Sequence, residues 1–165
     1  MKFAYADPPY VGQAKRHYSK EDSYDGEVDH AALISRLVSD YPDGWALSCS
    51  SPSLRGLLAL CPDDVRVMAW VKPFASFKPN VNPAYVWEPV IVQGGRRRTR
   101  KEKTVRDWVS ANITLKKGLS GVKPVGFCYW LFEVLNIQPE DTLDDLFPGT
   151  RAVTKALEAW RARLI

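Results

Sequence analysis

Apolar residues along the chain follow two periods, and their alternation predicts a sheet with helices packed on it. Short apolar runs bounded by turn residues are typical of strands, and longer segments with apolar positions three and four residues apart are typical of helices. The predicted strands are 3–6, 45–49, 65–71, 86–92 and 142–147. The predicted helices are 30–40, 125–135 and 152–163. A further, short helix is predicted to begin at Ser51 or Ser53 and to run through residues 57–60. Strands that alternate with helices in this way predict an α/β sheet.

Residues within and beside these segments refine the prediction. Asp29 is expected to cap the first helix, because a carboxylate before a helix accepts hydrogen bonds from its free N–H groups. Pro89 lies inside a predicted strand and cannot donate to a sheet ladder, so this strand is expected to have a bulge there or to lie at an edge. Residues 104–113, which carry Trp108, are expected to be a short helix or irregular. The segment 65–71 is rich in β-branched residues, which indicates an interior parallel strand.

The stretch that ends the first strand has specific chemistry. The apolar run 3–6 is followed at once by Asp7-Pro8-Pro9-Tyr10. The prolines cannot donate to a ladder and hold the residues before them extended, so the strand must end in a stiff turn. Ligands of open α/β sheets bind at the carboxyl ends of strands, so this turn is a candidate site.

The groups that this turn offers fit an amine on an aromatic ring. The Asp7 carboxylate and the Pro8 carbonyl could together accept both hydrogens of an exocyclic amine, and Tyr10 has a flat face for the ring behind it. The alternative is a surface turn, in which Asp-Pro-Pro only ends the strand and Tyr10 covers an edge of the core.

Two polar segments carry clusters of basic residues. Residues 11–28 lack either hydrophobic period and are expected to form a loop, and residues 96–103 contain six basic side chains within eight positions. Such charges repel one another unless they are solvated or paired with phosphate. Both segments are therefore candidate nucleic-acid contacts, and the alternative for each is a solvated loop. The candidate contact residues are Lys15, Arg16, His17, Tyr18, Arg96, Arg97, Arg98, Arg100 and Lys101.

Composition indicates a single domain with an acidic partner. A chain of 165 residues is long enough to bury one hydrophobic core. The net charge of +4 and the pI near 9.0 favour nucleic acid as the partner. Cys49, Cys61, Cys128 and the two histidines show no metal-ligand spacing, so we expect reduced thiols, no metal and a cytoplasmic protein. We also expect no signal peptide and no membrane span, because no apolar stretch is long enough.

A second candidate site lies near the other end of the chain. The predicted strand 142–147 runs into Pro148-Gly149-Thr150, and a helix follows. A glycine turn lets a ligand approach the backbone closely, and the amino end of a helix favours a negative group. A glycine turn alone is weak evidence, and an ordinary connection between strand and helix is the alternative.

Together, the two stretches resemble the motifs of amino-methyltransferases that use S-adenosylmethionine (SAM), in particular the permuted group that methylates adenine at N6. Asp-Pro-Pro-Tyr at 7–10 matches the catalytic motif of that family without a substitution. Lys-Pro at 123–124, a helix, and Asp-x-Phe-x-Gly-Thr at 145–150 match its Lys-Pro and Asp-x-Phe-x-Gly-Ser motifs in order and at about the usual spacing. The resemblance covers nearly the whole chain, and small methylase-like proteins of phages and actinobacteria are the most similar in layout.

The resemblance implies a circularly permuted and truncated Rossmann-like α/β domain with helices on both faces of its sheet. A catalytic half would span 1–92, a basic recognition insert 93–122 and a cofactor half 123–165. A flipped-out adenine of DNA would stack on Tyr10 while Asp7 and Pro8 accept its amine hydrogens, which frees the nitrogen lone pair to attack the methyl group of SAM. The catalytic residues would be Asp7, Pro8, Pro9 and Tyr10, and the SAM-binding residues Tyr5, Ala6, Asp7, Lys123, Asp145, Phe147, Pro148, Gly149 and Thr150.

Two departures from the family's pattern leave other functions open. Arg151 stands where the family has a second glycine, and the strands that follow the last helix in relatives, one with a ribose-binding acid, are not found. These departures predict weak SAM binding, a substitute ribose contact, or completion by a homodimer or partner subunit. One alternative is a non-catalytic or partner-dependent nucleic-acid-binding protein with a degenerate methyltransferase fold. Another is an enzyme for RNA adenine or cytosine N4. The expected location is the cytoplasm of a bacterium or of a phage-infected host cell.

Overall fold

Strands and helices alternate along the chain as the apolar pattern predicts. The structure, a computed structural model, describes residues 1–9, 28–74, 80–114 and 122–164. In that part of the chain the strands are β1 (Lys2–Ala6), β2 (Gly44–Ser48), β3 (Arg66–Val71), β4 (Trp87–Gly94), β5 (Trp108–Ser110) and β6 (Thr142–Asp145). The helices are α1 (His30–Asp40), α2 (Leu54–Leu58), α3 (Val125–Leu135) and α4 (Ala152–Leu164). No helix of the described residues is long and apolar enough to cross a membrane.

The strands of the described residues form one sheet in the order β5-β3-β4-β2-β1-β6. β1 pairs in parallel with β2 and β6, β3 pairs in parallel with β5, and β4 is antiparallel to its neighbours β2 and β3. All of these strands except β4 therefore run in one direction, and their carboxyl ends meet at one side of the sheet. We call this side, where β1 ends at Ala6 and β6 ends at Asp145, the carboxyl edge.

Alternating side chains of the strands build one core on each face of the sheet. Phe3 and Tyr5 of β1 pack with the buried residues of α3 and α4 on one face. Ala4 and Ala6 of the same strand pack on the other face with α1 and α2. Helices therefore cover both faces, as expected from the sequence. α1 also has its predicted cap, because the Asp29 carboxylate accepts a hydrogen bond from the backbone N–H of Ala32 at 3.0 Å.

Pro89 lies in an interior strand, so the prediction of a bulge or an edge strand is wrong. It faces Ala69 of β3 in a continuous register, and the N–H of Ala69 points away from it, toward Asp107. The Pro89 carbonyl accepts a hydrogen bond from Cys49 N at 3.1 Å, one residue beyond the last residue of β2. In a strand the N–H and C=O of one residue point to the same side. The nitrogen of Pro89, which has no hydrogen to donate, therefore faces a position just beyond the end of β2.

The segment predicted as a recognition insert is part of the sheet and of its packing. β5 lies at the sheet edge beside β3, which corrects the expectation of helical or irregular structure around Trp108. The segment begins where the start of β2 and the end of β4 approach closely, so that a Cβ atom on Gly44 would meet Gly95 N at 2.4 Å. It then runs along α3, where Trp130 Nε1 donates to the Arg106 carbonyl at 2.9 Å. Gly44 of β2 and Trp130 of α3 therefore have structural roles in holding this segment against the sheet and the helix.

The fully buried carboxylate of Asp141 joins the basic segment to the amino-terminal end of the chain. Arg96 donates to its two oxygens at 2.7 and 2.8 Å, and the Met1 amino group and Gln138 N also donate to it, at 2.7 and 2.8 Å. Burial alone would raise the pKa of Asp141, but these donors lower it to about 2. Arg96 is thus a partner in an internal ion pair.

We expect Arg96→Ala to destabilise the fold and Arg97→Ala to leave it almost unchanged. The first variant deprives a buried carboxylate of its arginine partner, and the second removes an exposed side chain. Thermal unfolding followed by circular dichroism should show a melting temperature lower by roughly 5 °C or more for Arg96→Ala alone. Equal melting temperatures for the two variants would contradict this structural role.

Candidate active site

The parallel pairing of β1 with β6 brings the two predicted motifs together. Tyr5 lies opposite Asp145, and Leu146 N donates to the Tyr5 carbonyl at 2.9 Å. Asp7 and the turn at 147–149 therefore leave the carboxyl edge from adjacent strands. The motifs from the two ends of the sequence form one site.

Asp7 is held in an ion pair with Lys123. The Lys123 Nζ atom lies 2.9 Å from Asp7 Oδ1, and the two side chains are 5% and 21% exposed. Pro124 directly follows Lys123 and marks the start of α3, because a proline cannot lie within the hydrogen-bond ladder of a helix. The start of α3 thus places Lys123 at this position. The sequence predicts Lys123 in the cofactor site, and the structure also joins its ammonium to the predicted catalytic carboxylate.

Two residues that the sequence reasoning missed complete this cluster. Glu88 Oε2 lies 3.3 Å from Lys123 Nζ, and Glu88 also forms an ion pair with Lys72. Glu88 reaches the site because β4, the antiparallel strand, begins at the carboxyl edge where the other strands end. The signal in the sequence is that Glu88 and Lys72 are charged residues within or directly beside apolar strand segments.

Burial and charge act in opposite directions on this cluster. Burial raises the pKa of Asp7 above its ordinary value, and the Lys123 ammonium opposes only part of that rise. Burial alone would lower the pKa of Lys123, but the carboxylates of Asp7 and Glu88 raise it above its ordinary value. Lys123 therefore stays cationic at neutral pH and serves as a hydrogen-bond donor, not as a base.

Asp145, the last residue of β6, has a buried oxygen without a partner. Among the described residues, no group donates a hydrogen bond to its Oδ1 atom. Burial raises the pKa of Asp145 to about 6, with a further contribution from the charge of Asp7, although a hydrogen bond from the Phe147 backbone opposes the rise. Such a carboxylate fits a ligand that brings an ammonium or hydroxyl group.

The turn after β6 has left-handed backbone conformations at Gly149, with φ of 44°, and at Arg151, with φ of 58°. For a residue with a side chain this conformation costs roughly 1 kcal/mol or more. Arg151 therefore stands at a position whose backbone still favours the glycine of the family's motif. Its side chain is exposed, as are Pro148 and Gly149, whereas Phe147 and Thr150 are half-buried.

Tyr5 and Ala6, predicted to contact SAM, lie beneath the site. They are 1% and 0% exposed, and the Tyr5 ring packs against Phe127 with 6.0 Å between ring centroids. The Tyr5 hydroxyl shares a hydrogen bond of 2.8 Å with Ser48 Oγ at the end of β2. These side chains support the turn at Asp7 from the core and offer little surface to a ligand. Pro8 is likewise buried, and Pro9 is half-buried.

The structure does not bring the basic run to Asp7. Arg96 to Lys101 follow the end of β4, which runs opposite to β1, so they lie beyond the end of the sheet opposite to the carboxyl edge. At about 3.3 Å per strand residue, this end is roughly 20 Å from Asp7. Arg98 pairs with Glu133 at 3.2 Å, whereas Arg97, Arg100 and Lys101 are exposed. The predicted contacts that lie outside the described residues are Tyr10, Lys15, Arg16, His17 and Tyr18.

Exposed aromatic rings, which the sequence reasoning did not assign to the site, lie near the carboxyl edge. Phe74 follows β3 and is 57% exposed, and Tyr85 and Trp87 at the start of β4 are 60% and 38% exposed. Their proximity follows from the pairing of the two strands, in which Val71 faces Trp87. The rings therefore lie at the side of the sheet that carries Asp7, and Trp87 directly precedes Glu88.

Other reactive groups of the described residues are masked by burial or dispersed. Burial raises the pKa of Cys49 and of Cys128 to about 12, so neither is a thiolate at neutral pH. No group of histidine, cysteine and acidic side chains within the described ranges could hold a metal ion.

We expect Asp145→Asn to remove a pH dependence of stability. The folded-state pKa of about 6 exceeds the ordinary value of 3.8, so the folded protein binds the proton more tightly than the unfolded chain, and stability rises as pH falls through 6. Urea unfolding between about pH 4 and 7 should show the variant gaining stability relative to wild type as pH rises. Asp63→Asn, at an exposed position, is the control. A pH-independent difference would contradict the burial of the Asp145 carboxylate.

Comparison with solved structures shows the same fold in another protein. The chain is similar to M1.HpyAVI in its crystal structure as a complex with SAM, with a TM-score of 0.61 and 17% sequence identity, over 96% of this chain and 78% of that chain. A second crystal structure of M1.HpyAVI has a TM-score of 0.55 and 17% identity, over 96% of this chain and 76% of that chain. No family model and no curated protein matches the sequence. The similarity confirms the Rossmann-like α/β fold that the sequence resemblance implied.

Proposed function

We propose that this protein transfers a methyl group from SAM to the exocyclic N6 amine of adenine in DNA. The observation that carries the proposal is the adjacency of Asp7 and the glycine turn at the ends of paired strands, with Lys123 bound to Asp7. The match of 7–10 to the family's catalytic motif supports the reaction. The similarity of the fold to a protein crystallised with SAM supports the cofactor.

Asp7 is proposed to hold the target amine. Lys123 bonds to Oδ1 of the carboxylate, so Oδ2 is the oxygen proposed to accept an amine hydrogen, and the Pro8 carbonyl is proposed to accept the other. Two fixed acceptors direct the lone pair of the amine nitrogen, and such positioning is a main source of rate when no covalent enzyme intermediate is needed. Tyr10, outside the described residues, is the proposed stacking partner of the base.

The turn at 145–150 is proposed to bind SAM, which supplies an electrophilic methyl group on a sulfonium. The partnerless Oδ1 atom of Asp145 fits an ammonium or hydroxyl donor of such a ligand. Phe147, Gly149 and Thr150 offer a half-buried ring, an open backbone and a hydroxyl at the same turn. Lys123 contributes through its ion pair with Asp7, which couples the two halves of the proposed site.

DNA is proposed to approach the carboxyl edge. The exposed rings of Phe74, Tyr85 and Trp87 stand there, and bases that leave a duplex are commonly stacked on such rings. Arg97, Arg100 and Lys101, exposed on the other side of the sheet, are proposed as phosphate contacts for a longer path of the nucleic acid. Arg96 and Arg98 are proposed to support that segment through their ion pairs.

A non-catalytic nucleic-acid-binding protein is the second candidate function. Arg151 favours it, because a large side chain stands in a left-handed conformation where the family's motif has glycine. The two candidates differ in SAM binding. Calorimetry that detects no SAM binding by the wild-type protein, with or without DNA, would favour the second.

We expect Asp7→Ala to abolish methyl transfer and to leave SAM affinity within about twofold, because Asp7 is proposed to hold the amine while the turn holds SAM. Transfer of radiolabelled methyl groups to DNA and calorimetry with SAM measure the two effects. Asp63→Ala, at an exposed position, is the control. Nucleoside mass spectrometry of the wild-type product distinguishes N6-methyladenine from N4-methylcytosine, and parallel reactions with RNA test the remaining alternative.

We expect the triple variant of Arg97, Arg100 and Lys101 to glutamine to bind DNA more weakly with a flatter salt dependence. Each lost phosphate contact lowers the slope of log affinity against log salt by about 0.9. Fluorescence anisotropy with labelled duplex DNA at several salt concentrations measures that slope. Arg66→Gln, at an exposed arginine on β3, is the matched control. An unchanged slope in the triple variant would remove this segment from the interface.

A further inference from the structure

Four side chains of alternating charge form a row at the carboxyl edge. Lys72 pairs with Glu88, Glu88 lies 3.3 Å from Lys123, and Lys123 lies 2.9 Å from Asp7. Their side chains are 16%, 14%, 5% and 21% exposed, in the same order. They come from the ends of β3, β4 and β1 and from the second residue before α3. Four mostly buried charges on separate elements are retained only if they are mutually paired.

Stability alone does not account for this row. Well-packed apolar residues of similar volume stabilise a fold as well as a buried ion pair does, or better. Buried charges in fixed positions are typical of functional sites, where a charged group must have a set orientation. The last member of the row, Asp7, is the group proposed to hold the target amine.

We propose that Glu88 is a positioning residue for methyl transfer, which holds the Lys123 ammonium against Asp7 so that the Asp7 carboxylate keeps one orientation. The inference rests on the proposed function and deepens it. Glu88 acts through Lys123 and touches neither substrate nor cofactor in this role. Lys72 neutralises the charge of Glu88.

The geometry around Lys123 explains why a second anchor is needed. A lysine has a flexible four-carbon stem and three hydrogen-bond donors. With a single carboxylate partner, the ammonium and that carboxylate could therefore move together. Here Glu88 provides the second carboxylate, and the rings of Trp70 and Phe127 lie 5.4 and 5.9 Å from the ammonium. Glu88 and Trp70 belong to interior strands of the sheet and Phe127 to α3. The ammonium is thus fixed by rigid elements and can in turn fix Asp7.

Glu88 also affects the charge state of Asp7. Among the described residues, the charged groups that face Asp7 are Lys123 before α3, Glu88 on β4, Lys72 after β3 and Asp145 on β6. The negative charge of Glu88 raises the pKa of Asp7, whereas the two lysines lower it. Without the charge of Glu88, two lysines would face Asp7, and its carboxylate would stay ionised to lower pH. A role in packing alone predicts no such change.

The experiment compares Glu88→Gln and Glu88→Asp with the matched control Asp107→Asn, which removes a carboxylate from an exposed ion pair with Arg66. We expect Glu88→Gln to lower kcat on the order of 100-fold, to leave the Kd for SAM within about twofold and to move the acidic limb of the pH profile to lower pH. Glu88→Asp keeps the charge but shortens the reach, so kcat should fall without that movement. The control should behave as wild type.

Three results would overturn the proposal. They are a Glu88→Gln variant with the kcat and pH profile of wild type, a loss confined to SAM affinity, and the same loss in the Asp107→Asn control. If Glu88→Gln does not fold, Glu88→Asp decides by its kcat, with an unchanged value counting against the proposal.

A double-mutant cycle of thermal stability separates this inference from the proposed function. Asp7→Asn and Glu88→Gln each remove one carboxylate from Lys123, so the shifts in melting temperature should be clearly non-additive in the double variant. Additive shifts would show that Lys123 does not connect the two residues. A wild-type protein that neither binds SAM nor methylates nucleic acid would refute the proposed function, and the cycle would still decide whether Glu88 holds Lys123 against Asp7.

Discussion

The parallel pairing of β1 with β6 is the interaction on which the site depends. It joins segments 140 residues apart in sequence, and closing a loop of that length costs conformational entropy that the paired ends must offset. Asp141 helps to do so at the start of β6, where the Met1 amino group and Arg96 bind one buried carboxylate. With that end fixed, the register carries Asp145 to the level of Tyr5 and the glycine turn to the level of Asp7.

The reversed direction of β4 places Glu88 and the basic run that follows β4 at opposite ends of the strands. Because β4 starts at the carboxyl edge, Glu88 lies near Asp7, and because it ends on the opposite side, the basic run that follows it lies far from Asp7. A parallel β4 would exchange the two positions. The direction of one interior strand therefore decides which charges belong to the site.

The two aspartates at the carboxyl edge differ in what surrounds them. Asp7 has a lysine partner at 2.9 Å, and that lysine has a second carboxylate, so the row of charges is internally balanced. Asp145 has a buried oxygen with no donor among the described residues, and burial raises its pKa to about 6. A paired carboxylate keeps its orientation, and an unpaired one gains most from a ligand with a donor group. These environments agree with the proposals that Asp7 holds a substrate and that Asp145 binds a cofactor.

The sequence by itself determined what depends on near neighbours along the chain. The cap at Asp29, the helices α1 and α3 and the turns after β1 and β6 follow from residue types within a few positions, and so does the recognition of the two motifs. Tertiary structure alone decided the direction of β4, the partners of Lys123 and the internal role of Arg96. Lys123 pairs with Glu88, which is 35 positions away in sequence, and Arg96 pairs with Asp141, which is 45 positions away. No local rule of sequence selects such partners. Strand direction and ion pairing are set by which surfaces the whole fold brings together, because only there are the charges removed from water and forced to pair.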